Sequence, residues 1–237
     1  MAHPVAVELA PGVVRIPTAG AASINSYAFV EADGAVTLVD CGLKRAPGRI
    51  VAGLRAIGRH PGDVRRIVLT HAHTDHAGGA AELAARTGAP VAVHEGDAAA
   101  VEAGRHPPYD PSVRAARVLG RLPGGRFPPV RVDERLTDGQ VLDGGLRVVA
   151  TPGHTPGSIC LLHEPTATLI VGDTLFHRRR LRLCPHPICS DYRLNERSAR
   201  LLGELEYDRV GFAHGTEITQ RARETVRRVV MAEGRDG

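Results

Sequence analysis

The chain has 237 residues, 43% hydrophobic and 24% charged with no long block of one sign, a balance that suits a folded protein with a sizeable core and excludes a disordered one. Its net charge of +4 comes from arginines spread along the chain, Lys44 being the one lysine, and with aromatic residues at 3% and no Trp there is no stacking platform for nucleic acid. The N-terminus "MAHPVAVELAPGVVRIP" lacks a basic start followed by an apolar leader, and no stretch reaches bilayer-spanning length, so the expected compartment is the cytoplasm, with no membrane partner.

In chain order, "INSYAFVE" and "AVTLVD" predict strands, "PGRIVAGLRAIG" a helix, "RRIVLT" a strand, "GGAAELAART" a helix and "APVAVH" a strand. Residues 104–130, "GRHPPYDPSVRAARVLGRLPGGRFPPV", carry six prolines around one short helical piece and read as an insertion or lid. Strands resume with "VRVDERL", "LRVVA", "SICLLHE" and "ATLIVG". A polar loop then leads to a helix "NERSARLLGELE", a strand "RVGFA" and a last helix from about Glu217 to Met231. Strand-rich halves with helices between and after them predict an α/β fold. Its form is a four-layer sandwich of two mixed β-sheets with helices outside, in one domain over residues 1–237. Cys41, Cys160, Cys184 and Cys189 are too few and too scattered for a disulfide framework and read as reduced thiols.

Four segments share one grammar. "RRIVLT" leads into His71, "LRVVATPG" into His154, "TLIVG" into Asp173 and "RVGFA" into His214, so each apolar strand delivers a metal-ligand side chain as it ends. Carboxyl ends of strands converge on the edge where α/β proteins bind ligands, and four segments can therefore supply one site. Within "VLTHAHTDHAGG", His71 and His73 point to the same side of an extended chain, while Asp75 and His76 follow where the chain turns into a helix. This spacing predicts a three-imidazole site of His71, His73 and His154, a second site of Asp75, His76 and His214, and Asp173 bridging the two with its oxygens. The scattered His3, His60, His94, His106 and His163 read as ordinary core or surface histidines.

The motifs "THAHTDHAGG", "TPGHTPGS", "VGDTLF" and "AHG", in this order, resemble the metallo-β-lactamase superfamily over nearly the whole chain. The resemblance implies an αββα sandwich holding a dinuclear metal centre, usually zinc, in a groove at one sheet edge. It also places Asp40 of "TLVDCG" beneath that centre. Two divalent ions hold a bridging hydroxide at neutral pH because a bound water's pKa falls from 15.7 to about 7. No serine or cysteine nucleophile is then needed, and Asp75 is the residue expected to orient the hydroxide or relay its proton. No G-x-S-x-G, H-E-x-x-H, Walker or dinucleotide motif competes with this reading.

Asp173 narrows the resemblance: antibiotic-degrading members lack this carboxylate, whereas glyoxalase II-type thioesterases, lactonases and phosphodiesterases have it. Glyoxalase II itself is similar but carries a Gly-Cys-Gly-Arg motif where this chain reads "HRRRLRLCPHPIC", and its long C-terminal helices have no counterpart. The expected activity is hydrolysis of a small ester, thioester or lactone. The alternative is a mononuclear-iron oxidoreductase like the persulfide dioxygenases, with His71, His154 and Asp173 as ligands. Substrate contacts are expected from the irregular segments 104–130 and 176–193, with Tyr109, Tyr192, Arg178, Phe127 and His177 as candidates. The oligomeric state is left open, a homodimer included.

Overall fold

The computed structural model describes residues 4–121 and 124–232, so His3 and part of the proline-rich insertion lie outside the described residues. Seven strands form one sheet in sequence order: β1 (Val7–Ala10), β2 (Val13–Ala19), β3 (Ile24–Val30), β4 (Val36–Val39), β5 (Val64–Leu69), β6 (Val91–His94) and β7 (Glu134–Leu136). The first four pair antiparallel through short turns. From β4 to β7 the pairing is parallel, because each crossover carries helix: α1 (Pro47–Ala56), then α2 (Thr74–Ala77) and α3 (Ala80–Thr87), then α4 (Glu95–Glu102) and α5 (Arg114–Leu119).

The second sheet contains β8 (Val141–Leu142), β9 (Leu146–Ala150), β10 (Ile159–His163) and β11 (Thr168–Val171). After a hairpin of β12 (Leu175–His177) and β13 (Leu181–Leu183) and helix α6 (Tyr192–Leu202), β14 (Arg209–Phe212) joins β11 in parallel. Helix α7 (Ala222–Ala232) closes the described chain.

Alternation along the strands builds three apolar layers. Along β10, Ile159 and Leu161 face the first sheet, where they join Tyr27, Phe29, Val39 and Val68, while Cys160 and Leu162 face α6 and α7. On the other side Leu38, Ile67 and Leu69 pack against Ile50 and Leu54 of α1 and Leu83 of α3. The result is helix, sheet, sheet, helix, with a core between each pair of layers.

Several boundaries differ from the sequence expectation. Helix α6 starts at Tyr192, three residues before "NERSARL", because Asp191 caps it: its Oδ1 accepts Leu194 N–H at 2.9 Å. It stops at Leu202, before Gly203. The last helix starts at Ala222 rather than Glu217, since Glu217 is drawn to Arg15 at 2.8 Å and Ile218 bridges to Val210. Only Glu134–Leu136 of "VRVDERL" joins the ladder. Strands β1 and β2, helix α4 and the β12–β13 hairpin were not foreseen, and the arginine run is the turn of that hairpin rather than an irregular loop. All four cysteines are buried and free. Among the described residues no helix is long and apolar enough to cross a membrane.

Candidate metal centre

Strands β9, β11 and β14 run in the same direction, and the loops leaving their carboxyl ends meet the loop leaving β5. There His154 Nε2 lies 2.8 Å from His73 Nδ1 and 3.1 Å from His71 Nε2. Beside this trio, Asp75 Oδ2 lies 3.2 Å from His214 Nε2 and 3.9 Å from His76 Nε2. Asp173 stands between the groups: Oδ1 is 3.2 Å from both His76 and His214, and Oδ2 is 3.5 Å from His154. All seven expected donors are thus brought together, in the two clusters the spacing predicts.

The rings of His71, His76, His154 and His214 are oriented by what the far nitrogen touches, an arrangement that fixes which nitrogen offers its lone pair. His76 Nδ1 donates to Asp40 Oδ2 at 2.8 Å and His214 Nδ1 to the Ser23 carbonyl at 2.7 Å. His154 Nδ1 lies 3.2 Å from the Cys184 thiol, and His71 Nδ1 lies 3.2 Å from Thr70 Oγ1, whose own proton goes to Asp40. Asp40 also accepts Thr70 N–H at 2.8 Å, and it does so from a left-handed backbone with φ 59°. A non-glycine residue holds that conformation at a cost, here where it aims a carboxylate beneath the cluster.

The electrostatics divide the two groups. Burial, reinforced by neighbouring imidazoles, pushes His71 and His73 well below the ordinary histidine range, so both rings are neutral. Burial opposes protonation of His76 and His214 as well, but the carboxylates of Asp173, Asp40 and Asp75 outweigh it at His76. Asp173 and Asp75 likewise raise His214 to about 10. Asp75 and Asp173 are pushed up by burial and yet held well below the usual carboxylate range by His76 and His214. Among the described residues, buried His73 Nε2, His76 Nε2 and Asp173 Oδ1 make no hydrogen bond of good geometry, the last two lying 3.2 Å apart. The neutral rings of His71 and His73 beside the ionised carboxylates of Asp75 and Asp173 suit divalent cations, which would take the place of the protons on His76 and His214, and these donors fit zinc.

Other expected contacts are sorted by the fold. Tyr109 sits at the cluster, its ring edge-on to His73 with centroids 5.8 Å apart. Arg178 Nη2 turns back to 3.3 Å from His214 Nδ1. Tyr192 instead packs on His186, 4.5 Å between centroids, and Phe127 is buried in the core. His177 Nδ1 donates to the Thr216 carbonyl at 2.7 Å, away from the donors. These three do not join the cluster.

His106 does, contrary to its reading as an ordinary histidine: Nε2 accepts Thr74 N–H at 2.8 Å and its ring lies 4.3 Å from that of His73. The insertion folds back onto the site, which no local spacing could show. Asp97, in the first turn of α4, was missed too. Its buried carboxylate accepts Ala72 N–H at 2.7 Å, the Thr155 hydroxyl at 2.7 Å and Gly157 N–H at 2.8 Å, tying the His71 loop to the His154 loop. It follows β6 by three residues, so the same strand-end grammar that marks the other donors points to it. Gly153, at φ 135°, lies where a Cβ would stand 2.1 Å from Asn195 N, so only glycine lets the loop before His154 rest on α6.

The family model described as the metallo-beta-lactamase superfamily matches residues 19–214. A hydroxyacylglutathione hydrolase of Acidiphilium cryptum is 33% identical over 168 residues, 69% of this chain and 53% of that protein. Acyl-coenzyme A thioesterase MBLAC2 of Gallus gallus is 35% identical over 136 residues, 53% of this chain and 47% of that protein. The chain spans about half the length of these relatives. The solved Rm3 metallo-beta-lactamase shares the fold, with a TM-score of 0.73 at 24% identity over 98% of this chain and 93% of the other. Strand-end donors in the order of the family's motifs, and a family match over most of the length, converge: the chain belongs to the metallo-beta-lactamase superfamily of metal-dependent hydrolases.

Proposed function

We propose that the chain hydrolyses a small ester, thioester or lactone with two zinc ions held by His71, His73 and His154 on one side and Asp75, His76 and His214 on the other. Asp173 is the residue that would serve both. The observation that carries this reading is the placement of its two carboxylate oxygens, one toward His76 and His214 and the other toward His154. When bound, such ions supply Lewis acidity that brings water to a pKa of about 7 and polarises a carbonyl. Asp75, the most exposed of the seven donors at 30% of its side chain, would orient the attacking water or relay its proton. Asp40, Thr70 and Ser23 keep the imidazoles in the tautomers that face inward.

The likeness to a hydroxyacylglutathione hydrolase and an acyl-coenzyme A thioesterase favours a thioester among the three substrate classes. The mononuclear-iron alternative would use His71, His154 and Asp173 and set aside His73, yet His73 Nδ1 is the nitrogen nearest to His154 Nε2, at 2.8 Å. Elemental analysis of the purified protein is expected to give close to two metal ions per chain. A panel of ester, thioester, lactone and phosphodiester substrates is expected to show turnover on a carbonyl compound. One tightly held iron per chain, with oxygen uptake on a persulfide, would overturn the hydrolase reading.

A further inference from the structure

The insertion places a hydrogen-bonded chain beside the metal cluster that the seven donors do not explain. Thr74 N–H can only donate, and it donates to His106 Nε2 at 2.8 Å. That nitrogen must therefore offer its lone pair, so the neutral ring carries its proton on Nδ1. Nδ1 lies 3.2 Å from the Tyr109 hydroxyl and so donates to it. The Tyr109 oxygen is then occupied as an acceptor, and its own proton is free to be given elsewhere. The Thr74 hydroxyl also contacts Nε2 while donating its own proton to the Gly124 carbonyl at 2.8 Å, so the backbone N–H alone fixes the acceptor role of that nitrogen.

Packing puts this hydroxyl-bearing ring beside the cluster: Tyr109 stands edge-on to His73, centroids 5.8 Å apart, and the His106 ring lies 4.3 Å from the same His73 ring. Both line a cavity of about 350 Å³ whose remaining wall includes Pro107, Pro108, Leu119 and Ile188. Pro107, Pro108, Leu119 and Ile188 give this mixed wall an apolar side, and the volume suits a modest acyl group.

We propose that Tyr109 is a catalytic hydrogen-bond donor to the carbonyl oxygen of the substrate, held in that role by His106 as a positioning residue, for substrates whose apolar acyl group fills this cavity. This rests on the hydrolase reading above. A donor aimed at a carbonyl oxygen counts most when negative charge develops there, so its removal acts on turnover rather than on binding. The chain Thr74 N–H, His106, Tyr109 is directional, and each link strengthens the next.

The test uses the metal-loaded, full-length protein and a thioester with an apolar acyl group. Tyr109→Phe is expected to lower kcat at least tenfold, with KM within threefold and with metal content and melting temperature unchanged. His106→Leu should lower kcat similarly, His106→Gln should restore part of it, and the Tyr109→Phe/His106→Leu double variant should be no worse than the weaker single variant, because both act through one hydroxyl. Nitrogen NMR of the wild-type protein should find His106 protonated on Nδ1. Wild-type kcat in Tyr109→Phe, additive losses in the double variant, or a proton on Nε2 would each overturn the donor role while leaving the hydrolase reading intact. A wild-type protein that turns over none of the carbonyl substrates would instead overturn the hydrolase reading itself.

Discussion

Asp173 and Arg178 show how single side chains are expected to divide the work of the site. Asp173 is 4% exposed and spans both donor clusters, but its side chain fills little core volume. Asp173→Ala is therefore expected to lower turnover at least a hundredfold while the melting temperature of the metal-free protein changes little. Steady-state kinetics beside thermal denaturation checks this, and unchanged turnover with unchanged metal content contradicts it. Arg178 is the member of "HRRRLR" whose guanidinium lies against the outer nitrogen of His214, and it lines an open groove with Arg179, Arg180 and Arg182. A charge-assisted contact of about 1.5–3 kcal/mol corresponds to roughly tenfold or more in affinity. Arg178→Ala should raise KM for an acidic substrate by that factor and leave a matched neutral substrate unaffected. Equal effects on both substrates would make the run a solvated turn.

At the scale of elements, the site depends on loops held by a helix that supplies no metal donor. Helix α4 presents Asp97 to the backbone after β5 and to the loop after β9, so one carboxylate fixes the spacing between His71 and His154. Asp97→Ala leaves three buried donors unpaired, which costs about 3 kcal/mol. In a chain of this size that lowers the melting temperature by roughly 6–12 °C. It should also weaken metal binding at the three-histidine cluster, read by chelator competition. A variant with the same melting temperature and the same metal affinity would remove Asp97 from this role. The β12–β13 hairpin serves the other side: it starts two residues after Asp173 and carries Arg178 in its turn.

At the scale of the molecule, the donors tie the two sheets together at one edge. His71, His73, Asp75 and His76 come from the first sheet's β5 loop, and His154, Asp173 and His214 from the second sheet. Metal held in common would then be a cross-link between the halves of the sandwich. A ligand at a thousand times its Kd stabilises the folded state by about 4 kcal/mol. Stripping the protein with a chelator should thus lower its melting temperature by roughly 8–16 °C, and zinc should restore it. An identical melting curve with and without chelator would show that the donors do not hold metal across the sheets.

Hydrophobic periodicity and strand-end polar residues were enough to read the alternation of strands and helices, the layered fold and the seven clustered histidines and aspartates. These signals are local: an apolar run sets a strand, and a histidine or aspartate just past its end is carried to the sheet edge whatever the rest of the chain does. Asp40 was legible only through resemblance, since nothing in "TLVDCG" says that its carboxylate will meet His76. Tertiary structure alone decided the surroundings. His106 and Tyr109 reach His73 because the insertion folds back over the groove, Tyr192 is turned away because Asp191 caps α6 beneath it, and Arg178 returns because a hairpin turns there. Contacts between residues far apart in sequence depend on how whole elements pack, and periodicity along one segment carries no information about that distance.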